Sequence, residues 1–247
     1  IENKILIFSD VHIPYHSVRA LELLNRFIKV YRPERIIIAG DLVDMYSVSR
    51  FLKHPDYGYT IKDELSQAKQ FLISLRKLCP HARIDFIEGN HDFRLRKYLL
   101  EQTPELIGLK ELEFPYLLEL KELKINWYPV KEFATSFVDN WIDVGGVHIG
   151  HFNRANQGSG MTVRNLMTKR QGSFIQGHTH RAGLIWRRNM DGTHSFGLEN
   201  PCLYDTSSVP YVSDYDWQTG WSIITDGHPE LILIRDGSFV WGGEKYE

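Results

Sequence analysis

The chain has 247 residues, of which 43% are hydrophobic and 24% are charged, and its 29 basic and 31 acidic side chains give a net charge of −2. This composition excludes disordered and collagen-like classes, and the length suits one large domain over residues 1–247. The charge balance argues against a protein that coats nucleic acid in general, but not against a local basic patch. No apolar run approaches the ~20 residues that span a bilayer, and the start of the sequence has no secretory pattern, so we expect a cytoplasmic protein without membrane contact.

The first half of the chain alternates between short apolar runs and helical patterns. Helices are predicted after the caps Ser17 and Thr60, and each ends before a proline, Pro33 or Pro80. Such alternation predicts parallel βαβ units. The predicted strands of this half cover residues 5–8, 35–39 and 84–87.

Two segments of the first half lack a clean period and are predicted to lie near a functional site. The pattern of residues 41–60 predicts a long loop, in which Arg50, His54 and Tyr57 are candidate substrate contacts; a solvated surface loop without a functional role is an equal alternative. A helix over residues 93–100 is followed by a broken helical segment. We interpret that segment, residues 101–123, as a cap or side wall.

From Lys124 the pattern becomes alternating and aromatic, which predicts a second sheet. A short basic helix is expected over residues 162–170. Strand-helix alternation early and hairpins late predict an α/β fold with two stacked sheets and helices outside. The predicted strands of this half cover residues 125–130, 133–138, 141–144, 147–149 and 174–176, with hairpins of 182–188 with 193–198 and of 231–235 with 238–241.

Five polar clusters follow five of these apolar runs. Any one of them is weak evidence, because turns after strands favour Gly, Asn and Asp for backbone reasons. Together they place carboxylates and imidazoles at neighbouring strand ends, where burial is costly unless a metal compensates. The clusters are Asp10-Val11-His12, Gly40-Asp41, Gly89-Asn90-His91-Asp92, Gly150-His151 and Gly177-His178-Thr179-His180.

Nitrogen and oxygen donors without cysteine suit Mn, Fe, Zn or Mg. Seven donors are too many for one tetrahedral ion but enough for two ions that share a bridging carboxylate. Two metals ~3.5–4 Å apart activate water and stabilise in-line displacement at phosphorus.

Two histidines, His148 and His151, are candidates for the metal ligand of the fourth block. Because side chains alternate along a strand, Val147, Ile149 and His151 share one face, and we choose His151.

The ordered set of five blocks resembles the calcineurin-like metallophosphoesterase family, and the tail at residues 199–203 is similar to small stand-alone phage and bacterial members. The resemblance implies a four-layer α/β/β/α sandwich of two stacked mixed sheets with helices outside and a dinuclear metal site at the strand ends. It also implies residue roles. One metal would be bound by Asp10, His12 and His180, the other by Asn90, His151 and His178, with Asp41 bridging. His91 would protonate or stabilise the leaving oxygen, with Asp92 orienting it.

The resulting hypothesis is a phosphoesterase with two divalent metal ions, manganese favoured, in which a metal-activated hydroxide attacks phosphorus. Phosphodiesters in nucleotides or nucleic acid are the favoured substrates, because Arg94, Arg154 and Arg181 follow the histidine blocks and could hold extra phosphates. The alternative is that these cations are only the solvated faces of helices and loops. The close alternative is a phosphomonoesterase. A catalytically silent scaffold is the less favoured alternative, since a scaffold needs neither His91 nor a full ligand set. The oligomeric state stays open.

Overall fold

The structure is a computed structural model that describes residues 3–52, 58–131, 134–205 and 216–247. Within these ranges, helices and strands alternate at first and strands dominate later. The helices are α1 Val18–Tyr31, α2 Ile61–Leu78, α3 Arg94–Gln102, α4 Phe114–Leu117 and α5 Met161–Lys169. The strands are β1 Lys4–Phe8, β2 Arg35–Ile38, β3 Arg83–Ile87, β4 Ile125–Tyr128, β5 Asn140–Val144, β6 Val147–His151, β7 Ser173–Gln176, β8 Gly183–Arg188, β9 His194–Glu199, β10 Gly220–Thr225, β11 His228–Leu233, β12 Phe239–Trp241 and β13 Glu244–Tyr246.

Two mixed sheets form the centre of the molecule. The first has the strand order β11-β10-β1-β2-β3-β4, in which β1 to β4 are parallel and β10 and β11 are added antiparallel. The second has the order β5-β6-β7-β9-β8, with β6, β7 and β9 parallel between antiparallel edge strands. The parallel strands of each sheet therefore end at one common edge, which is where the predicted polar clusters begin.

Side-chain alternation sorts the apolar residues into layers. On β1, Ile5 and Ile7 join the apolar layer between the two sheets, whereas Leu6 and Phe8 pack among the side chains of α1 and α2. On β7, Phe174 packs with residues of α5 on the opposite side of the second sheet. The order is therefore helices, sheet, sheet, helix, and it confirms the predicted four-layer sandwich.

Both predicted caps of the long helices are present. The Ser17 hydroxyl accepts a hydrogen bond from the Ala20 amide at 3.2 Å, and Thr60 forms a reciprocal capping box with Asp63. Each cap contributes about 1 kcal/mol to helix stability. These helices cover the first sheet and fix the positions of the turns between its strands.

Three predictions for strands are wrong in part. The predicted strand at 125–130 is β4, but it pairs with β3 in the first sheet and not in the second. Its Trp127 packs edge-on against Phe86, whose side chain belongs to the helix-facing core. The prediction for 133–138 includes residues outside the described ranges, and residues 134–138 form no strand. Phe137 instead packs beside the ring of His151.

The predicted C-terminal hairpin is also wrong. β11 pairs with β10, a strand that was not predicted, and β12 pairs with β13. The turn at Asp236-Gly237 does form, but it closes a single bridge between Arg235 and Ser238. The hairpin of β8 and β9 is confirmed.

The segment 101–123 packs beside the first sheet. Phe114 lies 5.2 Å from Trp127 and 5.9 Å from Phe86, measured between ring centroids. Leu118 and Leu120 are buried in the same core. Within the described ranges, no helix has the length and apolar character needed to cross a bilayer.

Candidate metal centre

The five polar clusters converge at the common edge of the two sheets. Five candidate ligands there have left-handed backbone torsions, with φ between 52° and 83°. Such torsions cost non-glycine residues of order 1–3 kcal/mol and are found where function constrains a turn. These residues are Asp10, His12, Asp41, His178 and His180.

Asp10, His12 and His180 form the first group of donors. The Nε2 atoms of the two imidazoles lie 3.1 Å apart, and Asp10 Oδ1 is 3.3 Å from Nε2 of His180. Nδ1 of His12 is 3.0 Å from the Asp44 carboxylate, so that nitrogen bears the proton and Nε2 presents its lone pair. Ligands about 2.1 Å from one ion lie roughly 3–3.5 Å apart. The group fits a divalent metal ion.

His151 is the centre of the second group. Its Nδ1 donates to the Ala39 carbonyl at 2.9 Å, which leaves Nε2 facing two oxygens. Nε2 lies 2.9 Å from Oδ1 of Asn90 and 3.2 Å from Oδ2 of Asp41. A ring nitrogen of His178 that could bind a metal lies within 4.8 Å of the corresponding ligand atoms of Asp41 and His151. Two oxygens and two imidazole nitrogens that converge in this way fit a second cation.

Asp41 lies between the two groups. Its Oδ2 is 3.2 Å from Nε2 of His151 and 3.9 Å from Nε2 of both His12 and His91. Its Oδ1 accepts from the His91 amide at 2.8 Å, which fixes the direction of the carboxylate. Asp41 thus occupies the position that a bridging ligand would need.

Asp44 and Arg94 hold His91 at the rim of the cluster. Nδ1 of His91 lies 3.0 Å from the Asp44 carbonyl oxygen and 3.3 Å from its carboxylate. Nη2 of Arg94 donates to Nε2 of His91 at 3.1 Å, and Nη1 donates to the Asp44 carbonyl at 2.8 Å. Asp44 also contacts His12, so it joins His91 to the first group. Sequence reasoning assigned Asp44 no role, although its spacing from Asp41 was a usable signal.

Asp92 lies on the other side of the turn. Its buried carboxylate accepts three backbone amides: from Asp41 at 2.8 Å, from Gly89 at 3.0 Å and from Val43 at 3.1 Å. The contact with the imidazole of His91 that was expected from Asp92 is made by Asp44 instead. Asp92 holds together the two turns that present Asp41 and Asn90.

Within the described ranges, the structure does not bring the other candidate substrate contacts, or His148, into the cluster of donors. Arg154 pairs with Asp139 at 3.3 Å, and Arg181 extends toward Asp216 and the Asn156 carbonyl. His148 faces the opposite side of β6 and packs on Phe174, so the structure brings His151 to the cluster. Arg50 pairs with Glu101, whereas His54 and Tyr57 lie outside the described residues.

The electrostatics of the cluster favour the forms that bind metal. Burial lowers the pKa of His12 and of His178 to about 4, which keeps both imidazoles neutral. Burial raises the pKa of Asp10, but the neighbouring His180 outweighs it and brings that pKa to about 2. For His151 burial lowers the pKa, but the neighbouring carboxylate of Asp41 outweighs burial and raises that pKa to about 9. Metal binding would therefore release a proton from His151.

Glycines precede four of the candidate ligands, and at three of these positions a glycine is needed because the turns touch. A Cβ atom at Gly40 would lie 2.4 Å from Nδ1 of His151, and one at Gly89 would lie 2.2 Å from Oδ1 of Asp41. A Cβ at Gly177 would lie 2.7 Å from the Ala39 carbonyl oxygen. The recurrent glycine before a donor residue is thus a packing requirement of the site.

Gly40→Ala is expected to lose metal binding and to lower the free energy of unfolding by at least about 1–3 kcal/mol, the usual cost of a strained torsion. Gly40 has φ +88°, and the added methyl group would displace the ring of His151. Chemical denaturation and metal analysis measure the two effects. Gly145→Ala is the matched control, because Gly145 also has positive φ but no atom within 4 Å of the added Cβ. Equal metal contents in the two variants would contradict the packing argument.

The chain is similar to known proteins in sequence and in fold. A family model described as calcineurin-like phosphoesterase matches residues 3–182. The Gene 54 protein of Mycobacterium phage D29 is 31% identical over 257 residues, which cover 99% of this chain and 98% of that protein, and the Gene 54 protein of Mycobacterium phage L5 is 30% identical over the same shares. Among solved structures, Yfce, a phosphoesterase from E. coli, has 11% identity and a TM-score of 0.42 with 98% of each chain covered. Vps29 of Chaetomium thermophilum has 12% identity and a TM-score of 0.44, with 98% of this chain and 96% of that chain covered.

Proposed function

The chain belongs to the calcineurin-like phosphoesterase family of metal-dependent hydrolases that act on phosphate esters, and we propose that it hydrolyses phosphodiesters of nucleotides or nucleic acid with two divalent metal ions, manganese favoured. The assignment of the seven donors to two ions, of Asp41 to the bridge and of His91 to the leaving oxygen is part of this proposal.

The observation that supports two ions is the convergence of lone pairs at two neighbouring points. Nε2 of His12 faces Nε2 of His180 at 3.1 Å, and Nε2 of His151 faces Oδ1 of Asn90 at 2.9 Å. Neutral partners of this kind repel each other unless a proton or a cation lies between them. Oδ2 of Asp41 lies within 3.9 Å of Nε2 atoms from both groups.

Divalent ions in these positions would supply Lewis-acid polarisation of a phosphoryl oxygen and water of lowered pKa. The chain's own contribution centres on His91. Its Nδ1 is held by Asp44, so Nε2 is the atom that would hold a proton for the departing oxygen. Burial lowers the pKa of His91, but Asp41 and Asp44 outweigh it and raise that pKa. Arg94 would move its hydrogen bond from Nε2 to a phosphoryl oxygen of the substrate.

The charge of the rim favours a diester over a monoester. Arg94 is the one guanidinium that the described residues bring into contact with the cluster, and four buried carboxylates lie close by: Asp10, Asp41, Asp44 and Asp92. The phosphoryl group of a diester has one negative charge, whereas that of a monoester has up to two near neutral pH. A single guanidinium suits the smaller charge.

The test is manganese-dependent hydrolysis of bis(p-nitrophenyl) phosphate beside p-nitrophenyl phosphate, with metal content measured on the same samples. We expect about two manganese ions per chain and a higher kcat/KM for the diester. Preference for the monoester would overturn the substrate assignment but keep the metal site. A purified chain that binds no metal and hydrolyses neither ester would support the scaffold alternative.

Arg94→Ala is expected to lower kcat/KM for the diester by about 10- to 100-fold, the usual effect of losing a hydrogen bond to a charged group. Metal content should stay at the wild-type level, because the guanidinium contacts Asp44 and His91 and none of the seven donors. Arg154→Ala is the matched control, since Arg154 pairs with Asp139. An equal loss in both variants would contradict a specific role for Arg94.

A further inference from the structure

Two exposed aromatic side chains lie beside Arg94 at the rim of the metal centre. The ring of Phe51 is 67% exposed, and its centroid lies 5.6 Å from Cζ of Arg94. Tyr98, which is 43% exposed, follows Arg94 by four residues and so lies on the same face of α3. A single exposed apolar side chain needs no explanation, but two flat rings beside a guanidinium of the site offer a surface for a flat ligand.

Two contacts with α3 hold the segment that contains Phe51. Nε of Arg50 donates to the carboxylate of Glu101 at 3.2 Å, and the ring of Phe51 lies over Arg94. Glu101 follows Arg94 by seven residues, which is two helical turns, so both contacts are made on one face of the helix. The segment therefore runs along α3 with Phe51 at the end that is nearer to His91.

One guanidinium joins the ring of Phe51 to the proposed proton donor. Nη2 of Arg94 donates to Nε2 of His91 at 3.1 Å. Only 17% of the Arg94 side chain and 18% of the His91 side chain are exposed, so the much more exposed ring lies on the solvent side of both. A leaving group that takes a proton from Nε2 of His91 and extends past Arg94 toward solvent would meet this ring.

The chemistry of this surface suits an aromatic base. Every base has a π-face that stacks on an aromatic side chain, and a guanidinium beside the ring adds a cation–π contribution. An aliphatic leaving group would gain apolar contact but no stacking. A leaving group with further phosphates is disfavoured, because the carboxylate of Asp44 lies 3.3 Å from Nη1 of Arg94 and the second guanidinium of this rim, that of Arg50, is paired with Glu101.

We propose that Phe51 binds the base of the nucleoside that leaves when a nucleotide diester is hydrolysed. The inference rests on the proposed function, which supplies the reaction, and adds that the diester has a base on its leaving side. In that reaction the oxygen of water bonds to phosphorus and the P–O bond to the leaving nucleoside breaks. The departing oxygen takes the proton that His91 holds, which gives a free nucleoside and a phosphomonoester.

The experiment compares hydrolysis of dTpdT with hydrolysis of a diester in which hydrogen replaces the thymine of the leaving nucleoside. The isomer of thymidine monophosphate formed from dTpdT identifies which nucleoside leaves. Wild type should have a kcat/KM about tenfold higher for dTpdT, which is the usual effect of one stacked base. Phe51→Ala should bring this ratio to about one, whereas Phe51→Trp, which keeps a flat ring, should preserve it.

Leu52→Ala is the matched control, because Leu52 is adjacent to Phe51 and is 96% exposed. Its ratio should equal that of wild type, and a fall as large as that of Phe51→Ala would overturn the inference. Equal losses of Phe51→Ala on the two diesters would also overturn it, since they would show that the ring acts only by supporting Arg94. A wild-type dimer that dissociates in Phe51→Ala would assign the ring to a second copy instead.

Failure of this inference can be distinguished from failure of the proposed function. Hydrolysis of dTpdT by wild type without a preference for the base would overturn only the inference. Turnover of p-nitrophenyl phosphate without hydrolysis of either diester would overturn the proposed function and this inference with it. Thermal melting of each variant verifies that it is folded.

Discussion

Asp41→Asn is expected to abolish stoichiometric metal binding and to lower kcat/KM for phosphate esters by roughly 10³–10⁵-fold, because a metal pair supplies several kcal/mol of transition-state stabilisation. Oδ2 of Asp41 is the atom that both groups of donors approach, at 3.2 Å from His151 and 3.9 Å from His12. Asparagine keeps the shape of the side chain and removes the charge that two cations would share. Metal analysis and turnover of the diester measure the two losses on one preparation.

The choice of asparagine matters because Asp41 also has a structural contact. Its Oδ1 accepts the His91 amide, and an alanine would free that turn as well as remove a ligand. Asp143→Asn is the control, since that carboxylate is more than half exposed and pairs with His148 on the far side of β6. If Asp41→Asn still bound two metal ions per chain, the bridging assignment would be wrong.

The candidate site could be found from the sequence because its residues follow the ends of apolar runs. The apolar residues of β1, β2, β3, β6 and β7 are largely buried, so each strand reads as a mainly apolar segment that stops at a polar turn, although Asp85 interrupts β3 and His148 interrupts β6. Parallel strands then bring those turns together without any further information. The glycines at 40, 89 and 177 strengthened the pattern for a reason that only the structure gives, namely the close approach of one turn to the next.

The partners of His91 could not be found in the same way. Asp92 is adjacent to His91 in sequence, yet its carboxylate points away to the backbone amides of Gly89, Asp41 and Val43. Asp44 is 47 positions away and reaches the imidazole because the turn after β2 folds back over the turn after β3. Pairing between side chains on different turns depends on backbone torsions that spacing alone does not predict.

Strand β10 was missed for a related reason. Its central Ser222 is buried and polar, and the hydroxyl donates to Oδ1 of Asn200 at 2.6 Å. A polar residue in the middle of a short run weakens both the apolar and the alternating pattern. The strand is nevertheless central in position, because it pairs with β1 and β11.

His91→Ala is expected to keep two metal ions and to lower kcat by about 10²–10⁴-fold, the usual contribution of a positioned general acid. The loss should depend on the leaving group. A p-nitrophenolate ion departs readily without a proton, whereas the alkoxide of the dinucleotide dTpdT does not. The variant should therefore lose more activity on dTpdT than on bis(p-nitrophenyl) phosphate, a difference that a purely structural role would not produce. Equal losses on the two substrates would contradict proton donation by His91.

The pH profile gives an independent measurement of the same proton. The carboxylates of Asp41 and Asp44 raise the pKa of His91 above its usual value of about 6.5. The protonated form is the acid, so activity should persist below that pKa and fall as the pH rises through it. His91→Ala should lack this alkaline limb. Asp44→Asn removes one of the charges that raise the pKa, and its limb should move to lower pH. A limb that stays in place in Asp44→Asn, with metal content unchanged, would show that Asp44 does not set the protonation of His91.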